Sequence, residues 1–443
     1  MKRQTDIIKV EEIPVSEQSY PFCSAKRYGL LGDSQYQEKE YYLYGTANVY
    51  QTEVNGKIEP RHLNVPYINR CIIRSPEKTE AFSGNVVVEI INPTSFMDIE
   101  RMWILGQRQF MRNGDIYVGI TSKPNTIARL LEFNHERYEK LSWPNPDKDV
   151  PFPFTESDIQ KCGNVLPDQN IEYETGLFWD MLTDLAVLLR SNDEKNPLLQ
   201  YHPETIVLTG WSQSANYLIR YVNDFAYKED LGYDVFDGFL AGGPPRYLPV
   251  PVNQYETLKC AENEKVQIRH VKNPCIVFQT ESENSLLGAK DVVRNDGMEE
   301  QFMCIHYDVT GSSHDTVYSL IDYYRKDTDL VRMGAMPGYA GLDKEANNYP
   351  LEVLVDAMFR NLFYWIQTGV APAKTERIQT NCDGENQKDA LGNTIGGLRT
   401  CLLDYPTGSF LATAILKKAV ILYSLILTKI IFLDMRSLIQ QKC

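Results

Sequence analysis

The chain lacks a long uninterrupted apolar run. Leu411 to Leu433 is rich in Ile and Leu, but Lys417, Lys418 and Lys429 break it, and its longest uncharged stretch, Ala419 to Thr428, is ten residues. A bilayer-spanning helix needs about 20 apolar residues. The stretch reads instead as an amphipathic packing helix, with a membrane-surface helix as the alternative, and no membrane span is expected. Positive charge is also short, with a net charge of −14 and a sequence pI near 5.1. No basic stripe exists to follow a phosphate backbone, which argues against nucleic acid as a partner. Paired cysteines are missing: the nine fall at 23, 71, 162, 260, 275, 304, 382, 401 and 443, with no C-x-x-C. Their odd number and wide spacing argue against a disulfide framework or a zinc site, and for reduced thiols in a reducing compartment. Met1-Lys2-Arg3-Gln4-Thr5-Asp6 is followed by no apolar core, so it does not read as a secretory leader. These absences point to the cytoplasm. There is no internal repeat, and histidine is scarce, at six.

What is present fits a folded globular protein, with 43% hydrophobic and 11% aromatic residues. A chain of 443 residues can bury one large α/β core or two smaller ones. Residues 1–35 are polar and irregular. From Glu38 to Arg74 two or three antiparallel strands are expected, with Asn55-Gly56 as a hairpin signal. Gly84 to Asn92 is a near-continuous apolar strand of the kind covered on both faces. A helix from about Ile99 to Asn113, stopped by Gly114, and a strand at Asp115–Thr121 follow, which is the βαβ grammar of a parallel sheet. Residues 123–172 read as a helix near 125–141 and then a proline-rich, lid-like excursion. A helix over about Thr175–Arg190, strands at Val235–Ala241, Asn273–Gln279 and Phe302–Val309, and an apolar helix over 350–368 complete the pattern.

The chain's most informative stretch is Thr205 to Arg220. Ile206 to Leu208 is a buried strand, Gly210-Trp211-Ser212-Gln213-Ser214-Ala215 a turn of small residues, and Leu218, Ile219, Val222 and Phe225 fall at helical spacing. Strand, tight turn and helix make a nucleophile elbow, with Ser212 at its tip. An ordinary strand-to-helix connection with Ser214 as a cap is the alternative. A serine nucleophile needs a base, normally a histidine oriented by a carboxylate, and on this topology both follow the serine in the chain. His62, His135 and His202 precede Ser212, His270 lies before the 273–279 strand, and His306 alternates within a strand. His314 remains, in the loop after the 302–309 strand. The acid is Glu281 or Glu283, which follow the 273–279 strand at once, with spacing favouring Glu283. An oxyanion hole would use the amide of Gln213 and one from the loop after the 84–92 strand, at Thr94 or Ser95.

These residues lie in a chain that resembles the α/β-hydrolase domain-containing proteins whose nucleophile motif reads G-W-S-Q-S. The similarity is carried by Glu40–Tyr50, Phe82–Asn92, Arg112–Gly119, Glu174–Leu177, Gly210–Ser214, Gln279–Glu283, Gly311–His314 and Asp389–Arg399, in order over about residues 35–408. It implies an α/β-hydrolase fold: a mostly parallel central sheet, helices on both faces and an antiparallel N-terminal edge. The domain would occupy 36–408, between an irregular segment at 1–35 and an atypical apolar tail at 409–443. The resemblance also implies a carboxylic-ester hydrolase with Ser212 and His314 in a Ser–His–acid triad, though no particular substrate; chemistry by such a triad is expected to act on a small-molecule ester and to need neither metal nor organic cofactor. Where the family usually has Thr-Glu-Thr-Asp this chain has Thr280-Glu281-Ser282-Glu283, so the acid stays open. Beyond Gly408 the Ile/Leu/Lys tail departs from the family pattern, as a divergent terminus or a frameshift would make it. An acyltransferase or amidase with the same triad, or a non-catalytic binding protein of this fold, are the alternatives.

Overall fold

The computed structural model describes residues 4–31, 35–155, 158, 170–228, 233–245, 248–257, 266–286, 296–334, 347–382 and 385–405. The tail at 409–443 and most of 156–169, within the lid-like excursion, lie outside the described residues. Two compact units are present. The first is Met1–Phe278, Asp291–Tyr307 and Glu352–Lys374; the second is Gln279–Lys290, Asp308–Leu351 and Thr375–Cys443.

The first unit is built on a ten-stranded sheet of order β1-β2-β3-β5-β4-β6-β7-β8-β10-β9. Its strands are β1 (Ile7–Glu12), β2 (Tyr36–Thr52), β3 (Ile58–Pro76), β4 (Asn85–Ile90), β5 (Ile116–Ile120), β6 (Thr205–Trp211), β7 (Gly238–Gly242), β8 (Val271–Thr280), β9 (Gly297–Glu299) and β10 (Phe302–Val309). The last residues of β8 and β10 already belong to the second unit. β1, β2 and β3 pair antiparallel, and β3 meets β5 antiparallel at Cys71–Arg74. From β5 through β4, β6 and β7 to β8 the pairing is parallel. β1 falls within the segment read as irregular. Its Ile7-Ile8-Lys9-Val10 is short, and only Ile7 is deeply buried, so it has little periodicity to announce a strand.

The apolar runs explain the centre. Every residue of β4, β5, β6 and β7 is buried, as a strand covered on both faces requires. From β4 the chain passes through α1 (Arg101–Asn113) to β5 on one side; from β6 it passes through α5 (Gln213–Asp224) to β7 on the other. Two right-handed crossovers running in opposite directions put α1 and α5 on opposite faces. Each helix has company. Phe110 of α1 meets Phe359 of α6 (Leu351–Thr368) edge-on with ring centroids 4.9 Å apart. Trp179 of α4 (Phe178–Leu189) stacks on Phe225, just past α5, at 4.8 Å. The helix expected near 125–141 is two pieces, α2 (Ile127–Phe133) and α3 (His135–Tyr138). Asn134 divides them by adopting an extended conformation and capping α3 through Arg137 N–H. Beyond α3 the chain is tied down, with Ser142 bridged to Ile68 and Trp143 fully buried. Among the described residues no helix is long and apolar enough to cross a membrane.

Several carboxyls are buried in this unit. Glu89, near the end of β4, accepts the Met102 and Trp103 amides at 2.8 and 2.9 Å and the Tyr117 hydroxyl at 2.8 Å. Burial pushes Glu89 up to about 8, Glu174 to about 7 and Asp356 to about 7. The folded state therefore holds protons that the unfolded chain, with ordinary carboxyls, has already released. Their contribution is full below the unfolded values and is lost as pH rises through 7 to 8. The thermal midpoint is expected to fall as pH is raised from about 5 to about 8. A midpoint that rises across that window in a buffer-matched denaturation series would contradict this account of the carboxyls.

Candidate active site

β6 ends in Trp211, and α5 begins one residue later. The single residue between them, Ser212, has φ 58° and ψ −122°, left of the usual basins for a residue with a side chain. Such a conformation costs about 1–3 kcal/mol and persists only where its surroundings enforce it. Here the enforcement is visible. A Cβ on Gly210 would lie 2.7 Å from the Ser214 carbonyl oxygen, so only glycine lets the chain double back so tightly. The Ser212 amide donates to Gly242 O at 2.8 Å, and its carbonyl accepts from Ala215 and Asn216 at 3.0 and 3.3 Å. Trp211 is wedged beneath, against Phe278 and the Arg101 guanidinium. Ser212 and Gln213 are half-buried, whereas Ser214 is fully buried, its hydroxyl without a partner among the described residues.

The neighbouring strand supplies the facing loop. β4 and β6 are adjacent, and their crossovers leave in opposite directions, which makes their carboxyl ends the switch point at which ligands bind in sheets of this type. The loop after β4 is closed at its base by reciprocal Asn92–Ile99 bonds of 3.0 Å. The Asn92 side chain holds it to the elbow: Nδ2 donates to Trp211 O at 2.7 Å, and Oδ1 accepts from the Thr94 amide at 2.9 Å. The Thr94 hydroxyl reaches Gln213 Oε1 at 3.4 Å. Of the two residues expected to supply a second oxyanion donor, Thr94 has thus committed its amide to Asn92. The amides of Ser95 and Gln213 make no hydrogen bond among the described residues.

Sequence reading passed over what anchors this loop. Asp98 accepts from Arg70 at 2.7 Å and from the Thr121 hydroxyl at 2.5 Å, and Glu100 accepts from Arg74 at 2.7 Å. Arg70 also pairs with Glu40, and Arg74 with Glu38 at 2.8 Å. Arg137 completes the row through Glu40 at 2.6 Å. All of these side chains are buried. Charges at alternate positions of β2 and β3 look like a solvated strand face; the signal that they are not is their opposite signs in register, Glu38 directly across from Arg74.

The second unit holds the other candidates. Glu283 and His314 are joined by a 2.5 Å bond from Oε1 to Nδ1. Glu283 Oε2 accepts the Thr280 amide and, at 2.8 Å, its hydroxyl. The Ser282 hydroxyl accepts the His314 amide at 2.8 Å. Glu283 is buried and His314 remains partly exposed. Glu281 has a different task. It takes the Gly311 amide at 2.8 Å on one oxygen, and Lys388 at 2.8 Å with the Thr394 hydroxyl at 2.5 Å on the other. The two glutamates left open by the sequence are therefore divided, one on the ring of His314 and one on the backbone that carries it. His306 is buried in β10.

The His314 loop has further braces. Leu398 forms a parallel bridge to Val309, and its amide donates to Asp308 O at 2.6 Å. The Thr310 hydroxyl donates to Gly396 O at 2.6 Å. Gly397 sits at φ 75°, where a Cβ would lie 2.2 Å from Thr310 Oγ1. Arg377 grips the Asp308 carboxylate through two bonds of 2.8 Å. Asn347 reaches Gly311 O at 2.8 Å. The Asp389–Arg399 stretch, without an assigned role in the sequence, is thus a backstop for the histidine.

A parallel sheet with opposed crossovers and a strained serine elbow at its switch point defines an α/β-hydrolase architecture. The alpha/beta hydrolase domain family matches residues 9–425, and the chain belongs to that family. The match runs past Gly408, where the resemblance read from the sequence ended. No curated protein matches the chain. Among solved structures it is similar to esterase Est22, at 11% identity and TM-score 0.35 over 71% of this chain and 84% of that one. It is also similar to an esterase from Pyrobaculum calidifontis, at 11% identity and TM-score 0.32 over 75% and 91%. A third is the carboxylesterase Cest-2923 from Lactobacillus plantarum WCFS1, at 10% identity and TM-score 0.30 over 49% and 68%.

The elbow geometry makes a direct prediction. Gly210→Ala forces its methyl against the Ser214 carbonyl and is expected to destabilise the fold by about 1–3 kcal/mol. Denaturant unfolding measures it, and a midpoint equal to wild type would show that the turn tolerates a side chain.

Proposed function

We propose that the protein is a serine hydrolase that cleaves carboxylic esters. The observation that carries the reading is Ser212, held at a strained φ on the tip of a strand–helix elbow in a chain that also pairs His314 with a buried carboxylate. In this mechanism the Ser212 hydroxyl attacks the ester carbonyl, and His314 receives its proton. The Glu283 carboxylate on Nδ1 keeps that nitrogen protonated, so that Nε2 is the basic one, and stabilises the imidazolium that forms. The amides of Gln213 and Ser95 stabilise the oxyanion of the tetrahedral intermediate, with Ser95 preferred to Thr94 because the Thr94 amide is already bonded. The intermediate collapses as His314 returns the proton to the leaving alcohol, giving an acyl-Ser212 ester. Water, deprotonated by His314, then releases the acid and restores the serine. Neither metal nor organic cofactor enters these steps. A small-molecule ester is the substrate, and the cytoplasm the place suggested by the odd number and wide spacing of the cysteines.

The test is hydrolysis of p-nitrophenyl acetate and butyrate. Wild type turns over, and Ser212→Ala and His314→Ala lower kcat by about 10³-fold or more. A fluorophosphonate probe labels wild type and not Ser212→Ala. A folded wild-type protein that neither turns over nor labels would end the esterase reading.

The two glutamates are expected to separate. Glu283→Ala lowers kcat by about 10²–10⁴-fold with a modest change in stability, as loss of a histidine-orienting acid does. Glu281→Ala leaves the Gly311 amide without its acceptor and Lys388 without its carboxylate partner, and costs about 1–3 kcal/mol of stability. Equal kcat losses with equal destabilisation in the two variants would refute this division.

A further inference from the structure

The buried row of charges beneath the loop after β4 is poorly suited to a purely stabilising role. Arg70, Arg74, Glu40, Asp98 and Glu100 are all essentially inaccessible. Burying ion pairs costs desolvation that apolar residues of similar volume avoid. The pairing is also incomplete: Asp98 Oδ1, Glu100 Oε1 and Arg74 Nη1 are buried without a partner among the described residues. What the row does supply is direction. Arg70 and Arg74 lie on one face of β3, four residues apart, and β3 is locked between β2 and β5. Asp98 and Glu100, two residues apart at the end of the loop, are each gripped by one of these guanidiniums at 2.7 Å. Inside the loop Thr94, Ser95 and Phe96 are only half-buried, and Phe96 is held at φ 58°. Packing alone does not fix that part of the backbone.

We propose that the Arg70–Asp98 and Arg74–Glu100 pairs are positioning groups that set the Ser95 amide as an oxyanion donor. The inference rests on the reading of that amide as part of an esterase site, but its structural half is measurable without turnover. The Arg70 and Arg74 side chains touch neither substrate nor the reacting atoms. They act through the loop backbone. Removing the direction of the bonds while keeping volume should loosen the donor without unfolding the sheet, and should appear in kcat and not in KM.

The experiment uses the double variant Arg70→Met/Asp98→Leu in the full chain, with Asp98→Asn as a milder second variant should the double fail to fold. Amide hydrogen exchange is followed on a peptide spanning 92–100, beside p-nitrophenyl butyrate kinetics. In a variant that melts near wild type, exchange in that peptide is expected to quicken about tenfold or more, kcat to fall about 10- to 100-fold and KM to stay within about threefold. Affinity for an alkyl trifluoromethyl ketone, which presents an oxyanion, should fall in step with kcat. Ser212→Ala removes turnover but leaves exchange in the peptide at the wild-type rate. Wild-type exchange in a folded variant would overturn the positioning role. Faster exchange with a wild-type protein that never hydrolyses esters would uphold the positioning and sink only the esterase reading.

Discussion

A single close approach governs the geometry at the heart of the sheet: the backbone of Ser214 lies so near Gly210 that no side chain fits between them. That contact reverses the chain within one residue, throws Ser212 into a conformation few residues adopt and starts α5 at once. Strand order makes the reversal useful. Because β4 and β6 are neighbours whose helices depart to opposite faces, the carboxyl ends of these strands form the switch point of the sheet. The elbow and the loop after β4 meet there.

The two units brace their loops with different shares of charged and neutral bonds. In the first, the loop after β4 hangs on full charges buried in a row. In the second, the histidine loop is stitched by backbone bonds to Gly396 and Leu398 and by the Arg377–Asp308 fork. Neutral backbone bonds cost little to bury, and many of them spread the restraint. Charged pairs are costlier and fewer, but their angles are better defined. Glu281 and Glu283 show the same contrast two residues apart, one acting on a chain segment and the other on an imidazole.

Local pattern made much of this readable beforehand. β4, β6 and β7 stood out because strands buried on both faces are largely apolar runs, and α5 because its spacing changes abruptly at Ser214. Spacing from β8 favoured Glu283 over Glu281, and it is Glu283 that meets the His314 ring. What escaped was non-local. Arg70, Arg74, Asp98 and Glu100 are polar residues whose burial depends on partners on other strands, so periodicity assigns them to the surface. β1 depends on pairing to β2 more than on its own composition. Asn134 broke a helix through a cap that helical spacing does not record. The role of Asp389–Arg399 needed Thr310 and Glu281, about a hundred residues upstream, to become visible.

The bracing of the histidine loop carries a consequence for synthesis. A nascent chain emerges from its amino terminus and folds as it grows. Ser212 and its elbow use residues up to Phe278, so the strained turn can be shaped while much of the chain is still being made. The loop bearing His314 cannot be set then, because Gly396 and Leu398 have not yet appeared. The chain thus carries a built-in delay: the Ser212 elbow can form early, and the loop bearing His314 is fixed only after Leu398 has been made.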